Sequence, residues 1–425
     1  MNSDLPKEPS ASYWQTTAPP VALDRDLPHH AHVVIIGGGV LGAAACYWLA
    51  RMGQAPVLLE RIALASGATG RNGGFVTIGP ASGYAEAVAR FGTQQAQTVL
   101  RVTLENQELL AHLLEEEQIE ADYRQAGSLH LALDEEQWHH LEQNAALLQA
   151  RQVQVALLDR AQVQQLIPPP LADEIVGASF SPQAGLLHPV KLVAGLITAA
   201  QRYGAYLAQA TVTRLEPAGT GIRLHTSAGS FSAAQVLVAT NAWIREVLPA
   251  LVPLITPVRG QMLAYAPLPP LFSAGISASL TPTGEYWQQR PDGTIVLGGC
   301  RTAAPGWDVN VTQSEPTLPV QHALDAVLPR LFPHLPPLQV ERRWAGLMAF
   351  TPDLLPIADQ MPGLPGVWFA GGFCGHGMPF GLRFGQLLAQ AMTTGTAPAE
   401  LALFRLDRPT LPPLSGAAAP EKPGL

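Results

Sequence analysis

The chain has 425 residues, 47% of them hydrophobic and 14% charged, with a formal net charge of −8 and a pI near 5.8. Such a composition describes a globular protein large enough for two domains, and its acidic balance without any Lys/Arg cluster argues against nucleic acid or anionic lipid as a partner. Cys46, Cys300 and Cys374 lie far apart, which gives neither a disulfide framework nor a zinc site, so a reducing cytoplasm is the expected location.

Residues 1–31 read as an extended arm whose large apolar anchors are Tyr13 and Trp14. It contains acids and prolines and lacks the apolar core of a secretory signal. His29, His30 and His32 have no cysteine or clustered acids beside them and read as a solvated linker, so no metal is expected. The run 33–50 is almost free of charge, but a glycine turn inside it and a strand after it make it the core of a nucleotide fold, and no integral membrane segment is expected.

The segment 32–60 reads as a buried strand (33–36), a glycine turn (37–42), a small-residue helix (about 43–52) and a second strand (about 56–59) that ends in an acid. Gly37, Gly39 and Gly42 supply G-x-G-x-x-G: a tight turn, a close backbone approach to a pyrophosphate, and close helix packing. A pyrophosphate would then sit on the helix N-terminus. Glu60 stands where an acid accepts from a ribose 2′-hydroxyl and would repel a 2′-phosphate. This unit alone fits NAD and FAD equally. The segment SGATGRNGG (66–74) adds a second glycine-rich loop, rich in backbone donors and suited to wrapping a large flat cofactor. Within it Arg71 could pair with phosphate, hold the loop through a carboxylate, or face the substrate.

Helical periodicity covers 82–118, a strand 128–133, a helix capped by Asp134 runs to about 150, and a strand (153–158) and a helix ending at Pro168 follow. This block reads as part of a cap or substrate domain, with His139 and His140 on a solvated helix face. A helix over 189–203, strands over 206–215 and 221–226, and the buried strand QVLVA (235–239) return the chain to the nucleotide domain. That last strand ends in Thr240, Asn241 and Trp243, at the strand end where open parallel sheets bind ligands. VRGQMLAY (258–265) is a strand, and YWQQR and TIVLG form a hairpin around Asp292-Gly293. Tyr286 and Trp287 are neighbours on that hairpin, so only one can face a given side. Residues 341–360 look loop-like, 367–372 is a buried strand, and FCGHGMPFG is a turn carrying His376 into a helix. The tail after Leu406 is expected to be disordered.

Taken together, SYWQTTAP, IIGGGVLG, SGATGRNGG, DYRQAGSLHLA, GLLHPVKLVAGL, VLVATNAW, PVRGQMLAY, YWQQRPDGTIVLGG, WAGLMAFTPDLLPIAD and GGFCGHGMPFG resemble, in this order, the D-amino-acid-oxidase-like superfamily of FAD-dependent oxidoreductases and its γ-glutamylputrescine oxidase-like branch. The resemblance spans residues 12–400. It implies an α/β protein: a discontinuous Rossmann-type FAD-binding domain (32–80, 185–258 and 341–405) and a discontinuous α+β substrate domain (81–184 and 259–340). By position it places Gly37, Gly38, Gly39 and Gly42 at the pyrophosphate and Glu60 and Arg61 at the adenosine ribose. Ser66, Gly67, Arg71, Asn72, Gly73 and Gly74 fall in the loop near the phosphates and flavin, and Val212, Thr240 and Trp243 beside the cofactor. Gly372, Phe373, Gly375, His376, Gly377 and Met378 fall along the ring. Gly346 occupies the position at which relatives of the sarcosine-oxidase type attach flavin through a cysteine, so FAD is expected to be non-covalent. Those relatives also carry a lysine near the flavin that TIVLGG lacks, which leaves the acceptor open between oxygen and an electron carrier.

The implied reaction removes hydride from a carbon bearing an amine, with flavin N5 as acceptor, and gives an imine that water hydrolyses. A carboxylate substrate calls for a guanidinium, for which Arg259, Arg290 and Arg301 are candidates; Tyr286, His376 and Arg290 are the expected catalytic-site residues. A polyamine would instead need carboxylates or an aromatic cage. Other readings are a dehydrogenase passing electrons to a quinone or carrier, a tRNA-modification component, which the acidic composition disfavours, and a non-catalytic FAD-binding scaffold.

Overall fold

The computed structural model describes residues 11–414, so the first ten residues of the expected arm and residues 415–425 of the expected tail lie outside the described residues. Where the arm meets the body it is not extended. Ser12 caps a helical turn, α1 (Tyr13–Thr16), in a capping box with Gln15. The βαβ unit then forms from β1 (His30–Ile36), α2 (Val40–Arg51) and β2 (Val57–Glu60). β1 starts ahead of its apolar run because His30 and Ala31 already pair with Ser232 and Ala233. After the short β3 (Phe75–Val76), the single helix expected over 82–118 is two, α3 (Tyr84–Phe91) and α4 (Thr93–Glu116). Gly92 lies between them with φ 83°, a conformation that ends one helix and starts the next.

The middle of the chain gives β4 (Ser128–Ala132), α5 (Glu135–Gln149), β5 (Ala156–Asp159), α6 (Arg160–Leu166), β6 (Gly177–Ser181) and β7 (Gly185–Leu186). Asp134 does cap α5, accepting from the Gln137 N–H. Next come α7 (Pro189–Arg202), β8 (Tyr206–Gln209), β9 (Val212–Ala218), β10 (Gly221–Thr226), β11 (Gly229–Val238) and α8 (Ile244–Val247). The last third holds β12 (Thr256–Tyr265), β13 (Gly275–Ala278), β14 (Glu285–Gln289), β15 (Ile295–Gly299), α9 (Leu318–Leu331), β16 (Val340–Phe350), β17 (Ile357–Gln360), β18 (Val367–Gly371) and α10 (Met378–Thr394).

Two eight-stranded sheets organise the molecule. The first runs β17-β18-β11-β1-β2-β8, parallel from β18 to β8, with the β9–β10 hairpin continuing antiparallel from β11. Alternation in β1 sends Val33 and Ile35 into the core shared with α2, α7 and α10, and Val34 and Ile36 into the core on the opposite face. The second sheet runs β16-β12-β15-β14-β13-β4-β6-β5 and is antiparallel except between β13 and β4. One of its faces packs on α9 through Trp287, Leu297 and Leu324.

Two expectations need correction. Residues 341–350 are not loop-like and do not belong to the nucleotide sheet: they lie in β16, which pairs along β12 from Thr256–Phe350 to Tyr265–Val340. The charged Glu341, Arg342 and Arg343 and the central Gly346 blur the period of two that would mark a strand. The tail is ordered as far as residue 414. Leu406, Leu411 and Leu414 pack on the first sheet's core, and buried Arg408 pairs with Asp353 at 2.7 Å. Among the described residues no helix is long and apolar enough to cross a membrane, and no cluster of His, Cys, Asp and Glu could hold a metal ion.

Candidate active site

A cavity of about 810 Å³ runs from the C-terminal ends of β1 and β2 to the face of the second sheet. One end is built by the glycine turn. Gly37, at φ 107°, donates its N–H to the Leu59 carbonyl at 2.8 Å, and a Cβ on Gly42 would overlap the Gly37 carbonyl, so turn and helix touch backbone to backbone. Gly37, Gly38 and Gly39 line the cavity, with the N-terminus of α2 beside them. Glu60 is buried and lines the same end. Its Oε2 accepts from the Gly38 N–H at 2.9 Å and its Oε1 from the Ile62 N–H at 3.0 Å, so the acid also fixes the turn. Arg61 stacks over Trp243 at 4.7 Å and pairs with Glu246 at 3.4 Å, forming with Val212 and Thr240 the outer wall.

The 66–74 loop forms the next stretch of wall. It makes one 3-10 turn (Ala68–Arg71), in which the Thr69 hydroxyl accepts from the Val40 N–H at 3.1 Å and so caps α2. Arg71 binds the carbonyls of Ser66 (3.0 Å) and Ala345 (2.8 Å), and burial lowers its pKa. The guanidinium can approach because residue 346 is glycine: a Cβ there would lie 2.8 Å from the Arg71 Cβ. Asn72 bonds within the loop, to the Thr69 carbonyl and the Gly74 N–H. Ser66, Gly67, Arg71, Asn72 and Gly73 line the cavity; Gly74 does not, and Trp14 lies behind it.

At the other end, Phe373, Gly375, His376, Gly377 and Met378 enter the cavity wall from the turn before α10, and Tyr286 and Gly346 enter it from the second sheet. Asn106 of α4 holds that turn by accepting from the Leu382 and Arg383 N–H groups (3.0 and 3.1 Å) and donating to the Met378 carbonyl (3.2 Å). Burial pushes His376 down to about 4, so its imidazole is neutral, 3.3 Å from the Thr77 hydroxyl. Tyr286 faces the cavity and Trp287 the core, and burial lifts the Tyr286 phenol to about 12.

Besides Gly74, three expected site residues do not reach the cavity wall. Gly42 and Gly372 act behind it, the latter at φ 73° against Thr351. Arg290 is turned away from it: its side chain is 1% exposed, bonded to Asp122 at 3.1 Å and Gln288 at 3.0 Å and lying 5.1 Å over Trp14. Arg259 is likewise occupied, by Asp308 at 2.8 Å. Arg301 is the arginine of the three that lines the cavity. It is buried, 5.3 Å over the Phe350 ring, and bonds the Trp307 carbonyl at 3.4 Å. Sequence reasoning missed Thr69, Asn106, Met348 and Phe350. Read as a strand, β16 would have offered the last two, since they share a face with Gly346.

The residues fit an extended dinucleotide carrying a flat ring. Glycines 38, 39, 67 and 73 leave bare backbone on the wall, packed so closely that a Cβ would press on Leu64, Thr69, Trp243 and Tyr286 respectively, and the Thr240 hydroxyl is buried without a protein partner among the described residues. A parallel nucleotide sheet, two glycine loops and a second sheet closing the cavity define a two-domain dinucleotide-dependent enzyme. Residues 32–391 match the DAO family of FAD-dependent oxidoreductases, and the chain belongs to that family. It is an oxidoreductase with FAD as cofactor. It is 26% identical to a glycine oxidase from Geobacillus kaustophilus over 391 residues, covering 90% of this chain and 98% of the relative. It is 24% identical to the γ-glutamylputrescine oxidoreductase of Escherichia coli, with 85% and 83% covered. The crystal structure of the Geobacillus glycine oxidase superposes with a TM-score of 0.78 at 23% identity, covering 90% of this chain and 99% of that one.

Proposed function

We propose that the chain oxidises the carbon–nitrogen bond of an amino acid or N-substituted amino acid to an imine, with Arg301 binding the substrate carboxylate. The observation that carries this reading is Arg301 itself: a buried cation on the cavity wall whose hydrogen bond among the described residues, to the Trp307 carbonyl, leaves most of its five donors for a ligand. The acids at that end do not favour a polyamine. Glu285 is taken by the Leu280 N–H (2.9 Å), the Thr281 N–H and the Thr281 hydroxyl (2.6 Å), and Glu86 pairs with Arg90.

When bound, FAD supplies the two-electron acceptor. Gly37, Gly38, Gly39 and Glu60 would hold its AMP half, with Thr240 and Trp243 beside it; Arg71, Asn72 and Gly73 would hold its middle, and the turn from Phe373 to Met378 its ring. Arg301 anchors the substrate, while Tyr286, Met348 and Phe350 keep water away. A neutral amine is required, and a dry wall beside a guanidinium depresses the amine pKa. Neutral His376 can orient a substrate by hydrogen bonding but is a poor base. Gly346 offers no attachment point, and burial holds the Cys374 thiol near 11, which supports non-covalent FAD.

The test is anaerobic bleaching of the yellow protein with matched pairs of amino acids and their decarboxylated amines. Bleaching by the acids alone, lost in Arg301→Gln, is expected. Equal bleaching by polyamines, untouched by that substitution, would overturn the reading. A dehydrogenase is the second reading: among the described residues the lysine is Lys191, which pairs with Asp122 at 2.9 Å and is not on the cavity wall. Peroxide yield against dye reduction with one substrate separates the two. Three buried free thiols support a reducing, cytoplasmic location.

A further inference from the structure

We propose that the N-terminal turn Tyr13–Thr16 is a clasp on the cofactor loop, and that Trp14 is a positioning residue that sets FAD affinity without entering the cavity. The 66–74 loop has two sides. One lines the cavity through Ser66, Gly67, Arg71, Asn72 and Gly73. The other is gripped by the arm. The Ser12 hydroxyl donates to the Gly70 carbonyl, Trp14 Nε1 donates to the Asn72 carbonyl at 2.6 Å, and Gln15 Nε2 to the Ser66 carbonyl at 3.2 Å.

A second indole joins from another part of the chain. Trp344 Nε1 donates to the Arg71 carbonyl at 3.0 Å, so two tryptophans hold consecutive carbonyls of the loop. Trp14 is fully buried in a seat made by Trp344, the His188 ring at 5.0 Å, the Arg290 guanidinium at 5.1 Å and the bare Cα of Gly74. The Tyr13 hydroxyl donates to Asp292 at 2.7 Å, tying the same turn to the hairpin that carries Tyr286. The seat therefore accounts for Arg290, which does not reach the substrate end.

The physical argument is one of preorganisation. A loop with four glycines among nine residues has more backbone entropy to lose than one without glycine, and order imposed before binding is order the cofactor need not impose. The capping box gives the clasp a fixed shape of its own: Gln15 N–H to Ser12 Oγ at 3.2 Å, and Ser12 N–H to Gln15 Oε1 at 2.9 Å. Coupling is reciprocal, so FAD must tighten the arm by the factor by which the arm tightens FAD.

The test uses the full chain stripped of FAD and titrated with FAD by quenching of flavin fluorescence. Trp14→Phe keeps a ring in the seat and removes the N–H donor. It is expected to weaken FAD binding about three- to tenfold, the effect of one lost hydrogen bond, and Trp14→Ala more. In the unmodified chain, FAD should slow proteolytic cleavage within residues 11–20 by a comparable factor, a readout that needs no variant to fold. Binding within twofold of the unmodified chain in both variants, or cleavage indifferent to FAD, would show that the arm only covers apolar surface and would overturn the clasp. A full chain that binds no FAD would overturn the cofactor assignment first.

Discussion

At the scale of single residues, two arginines with similar sequence settings have opposite fates. Arg290 and Arg301 both follow strands of the second sheet, yet one is claimed by Asp122 and Trp14 while the other faces the cavity. Their difference depends on a partner 168 positions away, which no local pattern announces. The glycine turn and Glu60 were legible because their geometry is set within one βαβ unit. Replacing Arg301 with Gln keeps a hydrogen-bonding group but removes the charge. It should lower kcat/KM for a carboxylate substrate roughly ten- to hundredfold, the range of about 1.5–3 kcal/mol for hydrogen bonds to charged groups. The decarboxylated analogue should be unaffected, and steady-state kinetics with the pair checks it. His188 makes a second residue-scale prediction. Burial first, then the Arg290 and Lys191 charges, push it down to about 4. Its folded-state pKa is thus below its unfolded value of about 6.5, so its contribution is present above that pH and is lost as pH falls towards 4. Thermal melts of the unmodified chain should lose stability across that window, and His188→Gln should flatten the slope.

At the scale of elements, the helices and hairpins with clear periods were readable, while β16 was not. Its alternation is broken by three consecutive charged residues and by a glycine kept small so that Arg71 can pass. What makes it a strand is its partner: β12 pairs along its length, with Gly260 opposite Gly346. The same long-range dependence hid Met348 and Phe350 from the site. Gly346→Val should meet Arg71 head on. Overpacking of this kind costs about 1–3 kcal/mol, and the displaced guanidinium would loosen the 66–74 loop. The expected result is a lower melting temperature together with FAD lost on gel filtration.

At the scale of the molecule, both ends of the described residues return to the nucleotide domain, 12–16 onto the 66–74 loop and 406–414 onto the first sheet's core. The C-terminal strap sets Arg408 into a buried pair with Asp353, 2.7 and 2.8 Å, and onto the carbonyls of Leu355 and Pro356, both at 2.8 Å. Composition reads the tail after Leu406 as disordered because proline, alanine and glycine are frequent across it; a lone buried guanidinium is a signal that composition averages away. Arg408→Ala leaves Asp353 buried without its cation and should cost about 3–5 kcal/mol, measured by denaturant unfolding.

The strand order of the first sheet also governs how the chain must fold. β1 lies between β2 and β11, and β11 waits for β18, whose residues 367–371 come near the end of the chain. The nucleotide layer therefore has a high contact order and cannot close until almost the whole polypeptide is present. A chain cut after residue 258 holds the glycine turn, the acid and the second loop, and should still melt without a cooperative transition and bind no FAD. During synthesis the half-built sheet exposes an apolar strand edge to other chains, which makes this the stage most prone to aggregation.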